Sequence, residues 1–147
     1  MDGIVLLLHV LGATIWTGGH IVLSIVVLPK VLKEKNPAKL LEFESVYEKI
    51  GMPSLILQVV TGILLAFKYQ PEFHAWFDLS NNMNHPILTK LGLLLLTLSF
   101  AVHARFRVIP YLSEKNLVLM SWHIVPVTII SILLVVVGVS FRTGWLY

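Results

Sequence analysis

The chain has 147 residues, of which 56% are hydrophobic and 13% are charged, and its mean hydropathy is +0.83. Soluble domains contain about 25% charged residues, so this composition indicates an integral membrane protein whose first partner is the lipid bilayer. Cysteine is absent, which excludes disulfides, thiolate metal sites and thiol catalysis. The net charge of +3 does not indicate nucleic-acid binding, because the basic residues lie at the ends of apolar segments and in the connections.

Four apolar runs are long enough to cross a hydrocarbon core about 30 Å thick as helices. The first run lacks a basic start and a cleavage pattern, so we expect a retained helix rather than a signal peptide. Short connections favour antiparallel neighbours, and the sequence predicts an all-α, integral membrane, antiparallel four-helix bundle that forms one domain over residues 1–147. The predicted helices cover about residues 3–30, 40–69, 86–110 and 117–141.

The basic residues predict the orientation of the bundle. Eight lysines and arginines lie in or beside the first and third connections, and three lie on the opposite side. The positive-inside rule therefore places these two connections in the cytoplasm. Both termini are then predicted to face the periplasm of a bacterial inner membrane.

The first predicted helix holds two histidines, His9 and His20, in an otherwise apolar run. At 3.6 residues per turn their directions differ by about 20° and their heights by about 16 Å, so they share one face at two depths. Gly12 and Trp16 lie between them on that face, beside Ala13. Small residues there allow either a flat ligand or another backbone to approach closely.

The second predicted helix has no histidine but carries a polar stripe. Buried polar side chains in a membrane bundle normally face its interior. The stripe is therefore predicted either to line a pocket or to pack closely against another helix through hydrogen bonds. Its members recur at helical spacing: Tyr47, Gly51, Ser54, Gln58 and Thr61.

The remaining histidines fall on the third and fourth helices. His85 and His103 are 18 residues apart, which is five turns, so they share a face that Arg107 continues. His123 follows the start of the fourth helix by one to two turns. In an antiparallel bundle, these positions predict an inner set of His20, His103 and His123 at one level. They also predict an outer set of His9, Lys90 and His85 near the opposite surface.

Haem b is the cofactor that this arrangement favours, because it needs one or two neutral imidazoles on facing helices. In the inner set, His20 with His103 or His123 would ligate one haem, with Arg105 and Arg107 near its propionates. In the outer set, His9 with His85 or Lys90 would ligate a second haem, with Lys90 or Arg142 near its propionates. Two such sites suit electron transfer across a bilayer.

Copper is the main alternative, because imidazole binds copper well and the methionine thioether binds Cu(I). His74, Met83 and His85 on the outer side are further candidate copper ligands, although no methionine-rich repeat is present. A third interpretation makes the histidines hydrogen-bonding spacers or a proton relay. An ionisable group within a membrane indicates function by default, whereas a structural role is favoured for His74 in its loop.

Four segments together resemble the four-helix unit of CopD-type membrane proteins, which are named for copper resistance. The segments are "LHVLGATIWTGGHIVL", "FESVYEKIGMPSLILQVVTGILLAF", "KLGLLLLTLSFAVHARFRVIP" and "WHIVPVTIISILLVVVGVSFRTG". This resemblance covers nearly the whole chain and implies copper tolerance or uptake.

The chain is also distantly similar to HemJ-type protoporphyrinogen oxidases, which are four-helix membrane proteins that bind haem b. The shared features are His9 followed seven residues later by Trp16, and Lys90 in "TKLGLLLL". In that family the matching histidine and lysine are implicated in haem binding or activity, so the similarity implies such roles for His9 and Lys90. His20 and His123 depart from that pattern.

The main prediction is a membrane protein that binds one or two b-type haems and transfers electrons, with quinol as a candidate donor. Copper transport or tolerance is the first alternative and protoporphyrinogen oxidation the second. Whether the protein is an enzyme and whether it forms a homo-oligomer stay open. The five histidines at positions 9, 20, 85, 103 and 123 are the predicted metal ligands, and the other predicted cofactor contacts are Lys90, Arg107, Gly12 and Trp16.

Overall fold

The computed structural model describes residues 2–81 and 84–145. Helix α1 (Asp2–Val22) continues through a π-helical turn into α2 (Leu28–Glu34), and α3 spans Pro37–Tyr69. Helix α4 (His85–His103) continues through a π-helical turn to Val108 and a 3₁₀ turn to Tyr111. Helix α5 covers Leu117–Thr143. Within these described ranges the chain contains no β-strand.

Four continuous helical segments are long and apolar enough to cross a membrane. Their outward faces carry large, exposed apolar side chains, such as Ile25, Leu95 and Phe106. In water such a surface would aggregate, whereas in a bilayer it faces lipid. The prediction of an all-α integral membrane bundle of four helices is confirmed.

The first connection is shorter than predicted. The first helical segment extends to Glu34, and Lys35 ends it with a left-handed backbone at φ 51°. The side chain of Asn36 then accepts a hydrogen bond of 3.1 Å from the Ala38 backbone N–H and caps α3. Pro37 is the first residue of α3, where its missing N–H costs nothing. Helix α3 therefore begins before the predicted position near residue 40.

Neighbouring helices pack antiparallel, as their contacts show. Gly12 and Gly19 of α1 lie against Gln58 and Tyr47 of α3, so residue numbers fall along α3 as they rise along α1. Helix α5 is likewise antiparallel to α1, because the Thr128 hydroxyl donates to the His20 carbonyl at 3.1 Å and the Thr17 hydroxyl donates to the Ser131 carbonyl at 3.4 Å. Both described ends of the chain and the long second connection thus lie at one end of the bundle, called here the terminal end. The two short connections lie at the other, called the connection end.

The second connection folds back onto the terminal end of the bundle. The indole N–H of Trp76, a buried side chain, donates to the Gln70 carbonyl at 2.8 Å. The side-chain amide of Asn84 donates to the Ala75 carbonyl at 2.6 Å. These bonds give the connection a fixed shape directly before His85.

Candidate functional site

His103 of α4 and His123 of α5 meet in a direct hydrogen bond. Their Nδ1 and Nε2 atoms are 2.7 Å apart, and the two ring planes differ by 4°. The ring centroids are 4.9 Å apart. This distance equals the nitrogen separation plus roughly one ring radius on each side, so the two nitrogens lie on the line that joins the centroids. The imidazoles therefore lie edge to edge in nearly one plane, along the hydrogen bond, rather than face to face.

The direction of this hydrogen bond follows from a backbone carbonyl. Nδ1 of His123 lies 2.9 Å from the Leu119 carbonyl oxygen, which can only accept, so Nδ1 carries the hydrogen. Nε2 of His123 is then a lone pair that accepts from Nδ1–H of His103. The remaining nitrogen of the pair, Nε2 of His103, also holds a lone pair while both rings are neutral.

His20 is buried in an aromatic cluster between α1 and α3. Its Nδ1 donates to the Trp16 carbonyl at 2.9 Å, which leaves Nε2 as a lone pair. The His20 ring lies 4.3 Å from the Trp16 ring and meets Tyr47 edge-on at 5.7 Å. The Tyr47 hydroxyl donates to the same Trp16 carbonyl at 3.0 Å. The ring orientation of His20 is therefore held from two helices.

His9 lies nearer the terminal end and is held by α3. Its Nδ1 is 2.9 Å from the hydroxyl oxygen of Thr61, and that hydroxyl donates its own hydrogen to Leu57. The Thr61 oxygen therefore accepts from Nδ1–H of His9, and Nε2 of His9 is left as a lone pair. The side-chain amide of Gln58 donates to the His9 carbonyl at 2.5 Å.

Three intramembrane histidines thus share one tautomer. His9, His20 and His123 each donate from Nδ1 to an oxygen and keep Nε2 as a lone pair. An Nδ1–H bond to an oxygen is the arrangement that fixes the tautomer and orientation of metal-binding histidines. The arrangement suits ligation of a metal ion or haem iron through Nε2.

Within the outer set, the structure brings Lys90 toward His9 but not His85. Lys90 lies near His9, and its side chain packs against α5, where a Cβ atom on Gly138 would lie 3.2 Å from Nζ. His85 instead donates from Nε2 to the Leu79 carbonyl at 3.0 Å in the second connection. Lys90 and His9 therefore both lie in the outer half of the bundle.

Within the inner set, the structure pairs His103 with His123 and places His20 in the aromatic cluster. In the part of the chain that the structure describes, no group of three or more His, Cys, Asp or Glu side chains is close enough to hold a metal ion. Arg107 lies beside His103 in a groove on α4, whereas Arg105 bonds Glu48 at 3.3 Å.

The face of α1 that contains Gly12 and Trp16 packs against other helices. A Cβ atom on Gly12 would lie 3.0 Å from Cγ of Gln58 and 3.1 Å from the carbonyl oxygen of Ser54. Of the two interpretations of this small-residue face, the structure shows the close approach of another backbone. Trp16 is 8% exposed, and its indole N–H is the one buried side-chain polar atom without a hydrogen-bond partner in the described ranges.

Of the candidate copper ligands of the second connection, the described residues His74 and His85 each have another partner. His74 is exposed and lies 3.3 Å from Glu72, and Met83 lies outside the described residues. The second helix supplies what sequence reasoning did not assign, namely Thr61 as the acceptor for His9 and Tyr47 as the neighbour of His20. The signal was the polar stripe on α3, whose partner helix the sequence could not identify.

Comparisons with known proteins identify a family for this chain. The family model described as Copper resistance protein D matches residues 41–141. The chain is also similar to an uncharacterized protein of Aquifex aeolicus (strain VF5), with 32% identity over 151 residues that cover 99% of this chain and 98% of that protein. No solved structure matches the chain. Because the matched region runs from the start of α3 through His103 and His123 nearly to the end of α5, the chain belongs to the Copper resistance protein D family.

Proposed function

We propose that this membrane protein binds copper at the His103–His123 pair and so contributes to copper tolerance or transport. The observation that carries the proposal is the pair itself, with two imidazole nitrogens from different helices aimed at each other at 2.7 Å. Imidazole is a good copper ligand, and membership of a family named for copper resistance supports this metal over others.

The geometry of the pair suits an ion that replaces the shared hydrogen. When the hydrogen of His103 moves from Nδ1 to Nε2, both rings remain neutral, and Nδ1 of His103 and Nε2 of His123 would hold the ion between them. With metal–nitrogen bonds of about 2.0 Å, the two nitrogens must be about 4 Å apart. His103 is exposed and can move outward by this amount, whereas the Leu119 carbonyl holds His123 in place.

The other histidines differ in how well they suit a cation. His20 has a free Nε2 and no basic side chain among its described contacts, so we assign it as a second copper position deeper in the membrane. His9 has a free Nε2 as well, but Lys90 lies near it and would repel a cation whenever its amino group is protonated. Copper therefore binds preferentially on the connection side of His9.

Copper stoichiometry in the purified protein tests the proposal. We expect Cu(I) to bind to the wild type and to the His74→Ala variant, which loses an exposed loop histidine. His103→Ala and His123→Ala should each weaken Cu(I) binding at least tenfold in competition with a chromogenic chelator. Unchanged Cu(I) affinity in the double variant, with the helical circular dichroism spectrum retained, contradicts the proposal.

A haem b redox function is the second candidate, and the free Nε2 atoms of His9 and His20 favour it. A haem ligand needs the same neutral, oriented imidazole, and quinol or protoporphyrinogen would then be candidate substrates. Against it, α3 covers Gly12, and the nitrogens of His103 and His123 are in contact, so the helices must separate to admit a macrocycle. Pyridine haemochrome analysis decides, because a stoichiometric b-type spectrum favours haem over copper.

The orientation belongs to the same proposal. The connection end carries most of the basic residues, so we propose that it faces the cytoplasm of a bacterial inner membrane. The copper pair would then lie in the cytoplasmic half. Reporter fusions at the C-terminus test this assignment, and a cytoplasmic C-terminus contradicts it.

A further inference from the structure

A shallow, open groove of about 450 Å³ runs along the outward face of α4 and of the π-helical turn that follows it, toward the connection end. Its apolar wall consists of Leu95, Leu98, Val102 and Phe106, and these side chains are exposed. His103 lies in the groove about 12 Å before the end of this helical segment, and Arg107 lies one turn closer to that end. Because this apolar wall faces outward from the bundle, it faces lipid when the helix crosses a bilayer.

The polar groups in the groove differ in what they can bind. Nε2 of His103 is an acceptor, because the hydrogen of this ring is on Nδ1, donated to His123. Ser99 donates its hydrogen to the Leu95 carbonyl at 2.8 Å, so its oxygen can only accept from a ligand. Arg107 is a donor, and it has no acidic partner among the residues that the structure describes. It follows His103 by four residues and so lies beside it on the helix surface.

We propose that this groove binds a membrane-diffusing hydroquinone. One hydroxyl of the ring donates to Nε2 of His103, and an oxygen of the same head group accepts from the Arg107 guanidinium. The flat ring packs on Val102 and Phe106, and the isoprenoid tail follows Leu95 toward the bilayer centre. The complementarity consists of one acceptor, one cationic donor and an apolar wall.

Two other lipophilic occupants match the groove less well. A phospholipid phosphate has only acceptor oxygens at neutral pH, so it suits Arg107 but sets its oxygens against the His103 lone pair. An oxidised quinone has two carbonyl acceptors, so its oxygen is also repelled by the lone pair on Nε2 of His103. The tautomer of His103 thus selects the reduced form. This inference goes beyond copper binding, because it requires only the metal-free pair.

Binding of decylubiquinol to the metal-free protein in lipid nanodiscs tests the proposal under anaerobic conditions. We expect saturable binding of one molecule per chain, and binding at least about threefold weaker for decylubiquinone and for the dimethyl ether of the quinol, which both lack the hydroxyl donor. His103→Ala and Arg107→Gln should each raise the Kd about three- to tenfold.

A groove-filling variant separates this site from the copper pair. Val102→Trp should abolish quinol binding while copper stoichiometry stays at the wild-type value. Leu96→Trp adds the same bulk at an exposed position on α4 outside the groove and should bind quinol normally. Equal binding of the quinol and its dimethyl ether overturns the proposal. Displacement of the quinol by phosphatidylglycerol in an Arg107-dependent manner also overturns it, in favour of a lipid site.

Discussion

Two adjacent glycines of α1 provide a sharp test of the packing that holds His20. A Cβ atom on Gly19 would overlap the ring of Tyr47, whereas a Cβ atom on Gly18 has nothing within 4 Å. Both residues are helical, and replacing a helical glycine by alanine is intrinsically favourable by about 0.5–1 kcal/mol. The two substitutions therefore differ only in what the added methyl group meets.

The expected magnitude for Gly19→Ala follows from the displaced tyrosine. Overpacking costs about 1–3 kcal/mol, and the lost hydrogen bond from Tyr47 to the Trp16 carbonyl adds about 0.6 kcal/mol in a membrane protein. After the intrinsic gain is subtracted, Gly19→Ala should lower the free energy of unfolding by about 1–3 kcal/mol. Gly18→Ala should raise it by up to about 1 kcal/mol.

The free energy of unfolding can be measured by titrating detergent-solubilised protein with a denaturing detergent and following the circular dichroism signal. In a Tyr47→Ala background the clash is absent, so Gly19→Ala should stabilise the protein by about 0.5–1 kcal/mol, which gives a coupling energy of about 2–4 kcal/mol. Equal effects of Gly18→Ala and Gly19→Ala in the wild-type background would refute the contact between Tyr47 and α1, and with it the described environment of His20.

Further predictions concern single hydrogen bonds and the histidine pair. Thr61→Val removes the acceptor for His9 and should cost about 0.6–1.7 kcal/mol in the same unfolding assay, more than Thr97→Val, whose hydroxyl bonds only its own helix. Trp76→Phe should cost about 1 kcal/mol more than Trp16→Phe, because only the first loses a formed hydrogen bond. Loading the histidine pair with Cu(I) should reverse the preference of the α4 groove from hydroquinone to quinone, measured as the ratio of the two Kd values.

The sequence predicts the number, order and direction of the helices because the bilayer fixes their length and short connections fix their neighbours. It also predicts that His103 and His123 lie at one level, since each residue rises 1.5 Å along a helix. The same reasoning is wrong for His20, whose carbonyl bonds Thr128, five residues beyond His123. Rotation about the helix axis is harder to predict. It depends on which helix faces pack together. For this reason helical spacing does not predict that His20 lies against Tyr47, away from the His103–His123 pair.

Irregular segments set a second limit on prediction from sequence. The sequence predicts that His85 lies with His9 in the outer set, but a carbonyl of the second connection accepts its hydrogen bond. The shape of such a connection depends on contacts that helical periodicity does not predict. The start of α3 differs for a similar reason. A left-handed residue at Lys35 allows a two-residue connection that composition alone does not indicate.

His103 takes part in both proposed sites, because Nδ1 belongs to the histidine pair and Nε2 faces the groove. While Nδ1 donates to His123, Nε2 presents a lone pair to the groove. If a copper ion takes the Nδ1 lone pair, a neutral ring must carry its hydrogen on Nε2, and the groove then presents a donor. A quinone carbonyl accepts from that donor, whereas a hydroquinone hydroxyl no longer finds an acceptor there. Because coupling between two binding sites is reciprocal, a quinone in the groove must raise the affinity of the pair for Cu(I) by the same factor by which Cu(I) raises the affinity for quinone.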